Sequence, residues 1–169
     1  MPDLAWTIDD PPGPIGRGTA DDPRLVVETW LAVPGTESWR VLMLRRAPGH
    51  GGFWQGVSGR VETFDESLRA AALREIREET GITAVVSLFD LGRWIEFQGF
   101  TRTHYRKRSL GAILPAGTAP ENVILSDEHD AVDLVTFDDA RTRVRWPENA
   151  EELHALEQAL PAAWVPGER

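Results

Sequence analysis

Glu75, Glu78 and Glu79 crowd the end of the segment "LREIREETGI", where their spacing opposes helix formation. Like charges three and four residues apart on a helix repel by about 0.2–0.5 kcal/mol per pair. The C-terminal turn also carries the negative end of the helix dipole and favours cations. At about 100° per residue, with Glu75 at 0°, Glu78 falls near −60° and Glu79 near +40°. Leu68, Ala71 and Ala72 occupy the same side of that wheel, and Arg77 and Ala70 the opposite one. The acids therefore continue the apolar stripe instead of facing water. Carboxylates turned toward a protein interior must be paired, protonated or bound to metal. Arg74 is near enough to help but cannot neutralise three charges. Oxygen-only donors at this density suit a hard cation, Mg²⁺ or Mn²⁺. The competing reading is a frayed, exposed helix end with incidental glutamates.

A helix that carries such a cluster needs a scaffold, and the flanking pattern supplies one. Thr63 and Glu66 form a capping-box pattern that predicts a helix start near Phe64, and Gly81 suits the position just past its end. Residues 26–33 and 40–46 are apolar, strand-like runs joined by "PGTES", which predicts a hairpin. Residues 53–57 read as a short extended segment. Further strands are expected at residues 84–88, 92–98, 102–114 and 131–137. Asp138 or Asp139 could cap a short helix, and Asn149 a final one with Leu153, Leu156 and Leu160 inward. Strands with a central and a terminal helix predict an α/β/α sandwich around a mixed β-sheet. Residues 1–23, rich in proline, glycine and acidic pairs, read as an irregular arm tied down through Trp6 and Ile8. Residues 24–169 form the domain proper.

With 169 residues, 41% hydrophobic and 27% charged, the chain suits a single globular domain. It has no cysteine, which excludes disulfides and cysteine-ligated zinc or iron–sulfur centres. No apolar run approaches a membrane span and no signal pattern opens the chain, so a cytoplasmic location is expected. A net charge of −9 argues against bulk nucleic-acid binding without excluding a small anionic substrate. The only lysine is Lys107.

"REIREETGI", with Glu66 eight residues before Arg74, resembles the Nudix box, G-x5-E-x7-R-E-U-x-E-E-x-G-U, where U is a bulky aliphatic. The match runs complete from Glu66 to Ile82. Gly59 lies seven residues before Glu66, so the connecting loop carries one extra residue, and Asp65 stands where a glycine is usual. The resemblance implies the Nudix α/β/α sandwich. It also implies a hydrolase that cleaves one phosphoanhydride of a nucleoside diphosphate linked to another group, with Mg²⁺ or Mn²⁺ as cofactor. Glu75 and Glu79 would coordinate the cations, Glu78 would be a further or bridging ligand, and Arg74 would orient the carboxylates. A backbone carbonyl before the loop, here Ser58, would complete the set. "LSDEHDAVDLVTFDDA" resembles the family's segment ahead of the last core strand and singles out Glu128 as ligand or general base, with Asp127 and Asp130 as neighbours that compete for the role.

"TRTHYRKRS" places Arg102, His104, Arg106 and Arg108 on one face if extended. Such a strip could bind substrate phosphates, or could equally be a charged edge strand that discourages aggregation. Trp54 and Trp94 are candidates for stacking on a base. "FWQGVSGRVE" resembles a stretch of the dihydroneopterin triphosphate pyrophosphatases, which implies a nucleoside or pterin di- or triphosphate as substrate. A monomer or homodimer is expected. Two other functions remain open at this level: a Nudix-fold binding or sensing module without catalysis, and a non-catalytic acidic interaction protein.

Overall fold

The computed structural model describes residues 6–161. Its spine is β1 (Arg24–Pro34), buried at every position after Arg24. A strand apolar on both faces needs cover on both, and the chain supplies it with helices on either side. β1 pairs antiparallel with β2 (Trp39–Arg46), as the hairpin pattern predicts, and parallel with β6 (His104–Ile113). β2 continues to β3 (Trp54–Gln55) and β7 (His129–Thr136), β6 pairs with β5 (Ser87–Gln98), and β4 (Val57–Arg60) pairs with β1. The result is a seven-stranded mixed sheet.

Strand alternation sorts the core into two layers. Val27, Leu31, Leu42, Leu44 and Leu110 meet Leu68, Ala71, Ala72 and Ile76 of α1 (Leu68–Thr80) on one face. Trp30, Val41 and Met43 meet Phe137 and Ala140 of α2 (Phe137–Arg143) and Leu153 and Leu156 of α3 (Pro147–Ala159) on the other. This is the expected helix–sheet–helix sandwich.

α1 begins one turn later than the capping-box pattern predicts. Its cap is Ser67, whose hydroxyl accepts the Ala70 N–H at 3.0 Å. Thr63 and Glu66 do not close the helix, because Asp65 holds the preceding residues in a turn. Its carboxylate accepts the Glu62 N–H at 2.7 Å and pairs with Arg74. At the far end Gly81 takes φ 74°, a left-handed conformation that favours glycine, and its N–H returns to the Arg77 carbonyl. Leu68 and Ile76 are fully buried. At about 1.5–3 kcal/mol each their burial outweighs the repulsion among the helix glutamates.

Other boundaries also differ. β5 is one strand, irregular between Asp90 and Arg93, where two were expected. α2 is capped by Thr136, ahead of Asp138 and Asp139. α3 starts at Pro147, so Asn149 lies inside its first turn, where its amide donates to Glu152 at 2.9 Å. The arm is anchored as expected: Ile8 is buried and Trp6 packs 5.5 Å from Trp94. Residues 1–5 lie outside the described residues.

Beneath α3 the second core layer encloses charge. Lys107 donates to Glu28 at 2.6 Å and to Glu152 at 3.1 Å, and all three are buried. Ser109 and Asn149 donate to the same Glu152 carboxylate. Burial pushes the Glu28 carboxyl above the usual range, although Lys107 pulls the other way. Burial opposes the charge on Lys107, but Glu28 and Glu152 outweigh it and hold the amine cationic.

Candidate active site

The last two turns of α1 carry Arg74, Glu75, Glu78 and Glu79 against β4 and the loop ahead of β7. Glu75 and Glu79 point inward and are buried, as the helical wheel predicts. Glu78 does not: its side chain is 52% exposed, because it sits at the rim of the stripe. The three carboxylates therefore occupy different environments.

Glu75 lies against the backbone of β4, where a β-carbon at Gly59 would overlap its carboxylate. Only glycine leaves room for that approach. Burial pushes the Glu75 carboxyl up to about 7, Arg74 offsets this in part, and Glu78 and Glu79 add to it. Arg74 donates to Glu75 at 2.9 Å and to Glu78 at 3.2 Å. Its other nitrogens donate to both oxygens of Asp65, at 3.0 and 2.8 Å, and to the Arg60 carbonyl. Arg74 thus orients two of the glutamates while fixed from behind by Asp65, whose bidentate bonds outweigh burial and hold the Asp65 carboxyl below its usual range.

Glu79 has a different set of partners. His129 Nδ1 lies 3.0 Å from Oε2, and the Ser126 hydroxyl donates to the same oxygen at 2.5 Å. Burial alone would raise the Glu79 carboxyl. The bonds from His129 and Ser126, with the electrostatic pull of His129 and Arg46, hold it below its usual range. Gln55 Nε2 lies 3.0 Å from His129 Nε2. His129 therefore bridges Gln55 and Glu79 through its two ring nitrogens.

Glu128 belongs to the same neighbourhood through its backbone. Its N–H reaches Ser126 Oγ at 3.4 Å, and its carbonyl accepts the Ala47 N–H at 2.8 Å. Its half-buried carboxylate makes no hydrogen bond or ion pair among the described residues. Asp130 is paired with Arg45 at 2.8 Å. Ser58 sits in β4 beside Gly59, opposite Glu28 of β1.

Among the described residues, no three acidic or imidazole side chains already converge on one point. Arg74 bridges Glu75 and Glu78, while Ser126 and His129 both bind Oε2 of Glu79 and leave Oε1 to other partners. The donor set nevertheless fits a hard divalent cation. It is all oxygen, and Glu75 is seated in the Gly59 notch with its charge only partly offset by Arg74.

The expected basic strip is rearranged. Arg102 lies in the β5–β6 turn at φ 65°, so the extended face runs only from His104 through Arg106 to Arg108. Arg108 donates to both oxygens of Asp90, at 2.9 and 2.6 Å, and is not an open cation. Arg106 lies 4.0 Å from the centre of the Trp94 ring, with Arg108 at 4.9 Å from it. Trp94 is thus covered by arginines and Trp6. Trp54 lies apart from the α1 carboxylates. It packs with the α2–α3 layer, under Arg45 and Arg143, on the face opposite α1. Strand alternation turns its neighbour Gln55 toward Glu79 instead.

Sequence reasoning missed four residues: Asp65, Ser126, Gln55 and His129. A signal for Gln55 was present, since alternation puts one member of Trp54–Gln55 on each face. His129 adjoins Glu128, but only the pairing of β7 with β2 shows which way it turns.

A family model described as NUDIX domain matches residues 24–158. Among curated proteins, the chain is 37% identical over 116 residues to an octanoyltransferase of Myxococcus xanthus. That match takes 62% of this chain but 29% of the other, so the chain spans about three tenths of that relative's length. Among solved structures it is similar to the dihydroneopterin triphosphate pyrophosphohydrolase of E. coli, with TM-score 0.66, 24% identity and coverage of 80% of this chain and 96% of that one. An Ap4A hydrolase binary complex of C. elegans gives TM-score 0.65 at 19% identity, covering 78% and 93%. The NUDIX domain of Shewanella oneidensis NrtR complexed with ADP ribose gives TM-score 0.65 at 18% identity, covering 80% and 87%. Likeness at these identities is a likeness of fold.

Proposed function

The chain belongs to the Nudix family of acid-anhydride hydrolases, and from that premise we propose that it cleaves one phosphoanhydride of a nucleoside- or pterin-linked di- or triphosphate with Mg²⁺ or Mn²⁺. The observation that carries this reading is the seating of Glu75 in the Gly59 notch, with Glu79 on the same face of α1. A buried carboxylate with its charge only partly offset is a site prepared for a cation.

Glu75, Glu78, Glu79 and the Ser58 carbonyl would hold the cation, joined by Glu128 of the neighbouring loop. When bound, a divalent cation neutralises phosphate oxygens and acidifies water. The chain's own residues do the rest. Arg74, fixed by Asp65, keeps Glu75 and Glu78 in one orientation. His129, held by Gln55, favours the ionised form of Glu79 and occupies its Oε2, so that Oε1 has no hydrogen bond among the described residues. Glu128, whose carboxylate lacks a partner among the described residues, is the acid free to take a proton from the attacking water. Phosphoryl transfer needs mainly positioning and charge stabilisation, and this arrangement supplies both.

The test is release of phosphate or pyrophosphate from a panel of nucleoside and pterin di- and triphosphate derivatives, with Mg²⁺, Mn²⁺ or EDTA. Turnover that requires cation and is lost in Glu79→Gln is expected. Absence of turnover across the panel, or turnover unaffected by EDTA, overturns the reading. A protein that binds these compounds without cleaving them is a sensing module.

A further inference from the structure

Between Gln55 and Val57 the chain changes partners. β3 pairs with β2 and β4 pairs with β1, while Gly56 stands at the crossing and belongs to neither ladder. Gly56 is buried, and a β-carbon there would lie 2.4 Å from the Thr29 carbonyl, so the crossing presses directly on β1. A buried N–H outside a ladder needs another acceptor. The Glu28 carboxylate fills that place: the Gly56 N–H acts on it and favours its charged form.

The residues on either side of the crossing both serve the α1 carboxylates. Gln55 reaches His129, which holds Glu79. Gly59 forms the notch that seats Glu75, and Ser58 beside it pairs with Glu28 across β4 and β1. A shift at Gly56 therefore disturbs both contacts together. Glu28 acts from the opposite face of the sheet, where α3 covers it, and among the described residues it makes no hydrogen bond or ion pair with Glu75, Glu78 or Glu79.

Lys107 is shared between two carboxylates that have different attachments. Its Nζ donates to Glu28 at 2.6 Å and to Glu152 at 3.1 Å. Glu152 also accepts from Asn149 at 2.9 Å, from Trp30 at 3.5 Å and from the Ser109 hydroxyl, and it belongs to α3. Among the described residues Glu28 has Lys107 and the Gly56 N–H alone. One carboxylate thus ties the lysine to the covering helix, and the other ties it to the crossing.

We infer that Glu28, held by Lys107, is a positioning residue for the candidate active site: it fixes the Gly56 crossing from the far face of the sheet and so keeps Gln55 and Gly59 aligned with Glu79 and Glu75. The inference rests on the reading of that site given above and adds to it a buried pair that touches neither cation nor substrate. A charged acceptor holds an N–H more strongly than a neutral one of the same shape, so Glu28→Gln should loosen the crossing.

Residue-resolved amide exchange by NMR, on metal-free protein, reads the crossing directly. In Glu28→Gln the amides of residues 56–59 should exchange about tenfold faster than in wild type, beyond any change at residues 41–44 of β2, which report general opening. Mn²⁺ binding, followed by electron paramagnetic resonance, should weaken about tenfold. Glu152→Gln is the control: it perturbs the same lysine from the α3 side. It should lower the melting temperature, leave residues 56–59 in step with β2 and change Mn²⁺ affinity by about twofold or less. Should Glu28→Gln fail to fold, Glu28→Gln combined with Lys107→Met removes equal and opposite charges, leaves no lysine unpaired and should show the same two effects. Residues 56–59 that keep step with β2 in the Glu28 variants overturn the inference. So does an equal local acceleration in Glu152→Gln, or Mn²⁺ affinity unchanged in the Glu28 variants when wild type binds the ion. Exchange is read without metal or substrate, so a wild type that neither binds Mn²⁺ nor turns over substrate overturns the hydrolase reading alone.

Discussion

Glu79 and His129 face each other across the gap between α1 and β7, Oε2 to Nδ1, at 3.0 Å. The contact makes His129 a positioning residue: among the described residues it makes no hydrogen bond or ion pair with Glu75 or Glu78, yet it fixes which oxygen of Glu79 is spoken for. His129→Ala should lower kcat/KM about 10- to 100-fold, the usual cost of losing a group that orients a ligand. Gln55→Ala should do the same more weakly, since His129 keeps Glu79 but loses its own tether. Steady-state kinetics on both variants check this, and full activity in His129→Ala would remove the contact from the mechanism.

Gly59→Ala places a methyl group on the Glu75 carboxylate. The side chain must leave its notch, while β4 keeps its pairing with β1. Turnover should fall at least tenfold with the melting temperature changed by only a few degrees, within the range that overpacking by one methyl produces. Thermal melts beside rate measurements separate the two effects.

Asp65 gives a pH dependence with a definite sign. Its folded-state pKa is depressed by Arg74, so its stabilisation is complete above the unfolded value near 3.8 and is lost as pH falls through the folded value. Asp65→Asn should cost about 1–3 kcal/mol at neutral pH, because the pair is largely shielded from water. The gap between wild type and variant should stay constant from pH 7 to about pH 5 and close below pH 4. Urea unfolding at several pH values measures it, and a gap that widens on acidification would reverse the assignment.

Much of this was legible in the sequence, and the remainder failed for identifiable reasons. Helical periodicity turned Glu75 and Glu79 inward correctly, because a regular helix fixes direction at every residue. The helix start was misplaced because Thr63 and Glu66 offered a plausible cap while Asp65 was claimed by Arg74, nine residues away. Trp54 was a stacking candidate by residue type and by its place beside the motif. Its direction depended on β3 pairing with the end of β2, on the edge that β2 shares with β1, a pairing that no local pattern encodes.

Arg108 tests the corrected reading of the basic strip. Since Asp90 takes its donors, Arg108→Gln should destabilise the fold by about 1–2 kcal/mol through the lost charged hydrogen bonds and leave KM unchanged. A raised KM that weakens with added salt would restore it to phosphate binding.

The enclosure of Lys107 by Glu28 and Glu152 has an analytical consequence. A protease that cuts only after lysine has one site in the entire chain, in the middle of β6 and sealed beneath α3. Folded chains present nothing to cut, whereas each unfolded chain yields two fragments, residues 1–107 and 108–169. Since β6 is paired on both edges, to β1 and to β5, cleavage requires the strand to leave the sheet, and its rate, taken with limiting protease, follows the population in which the sheet has come apart.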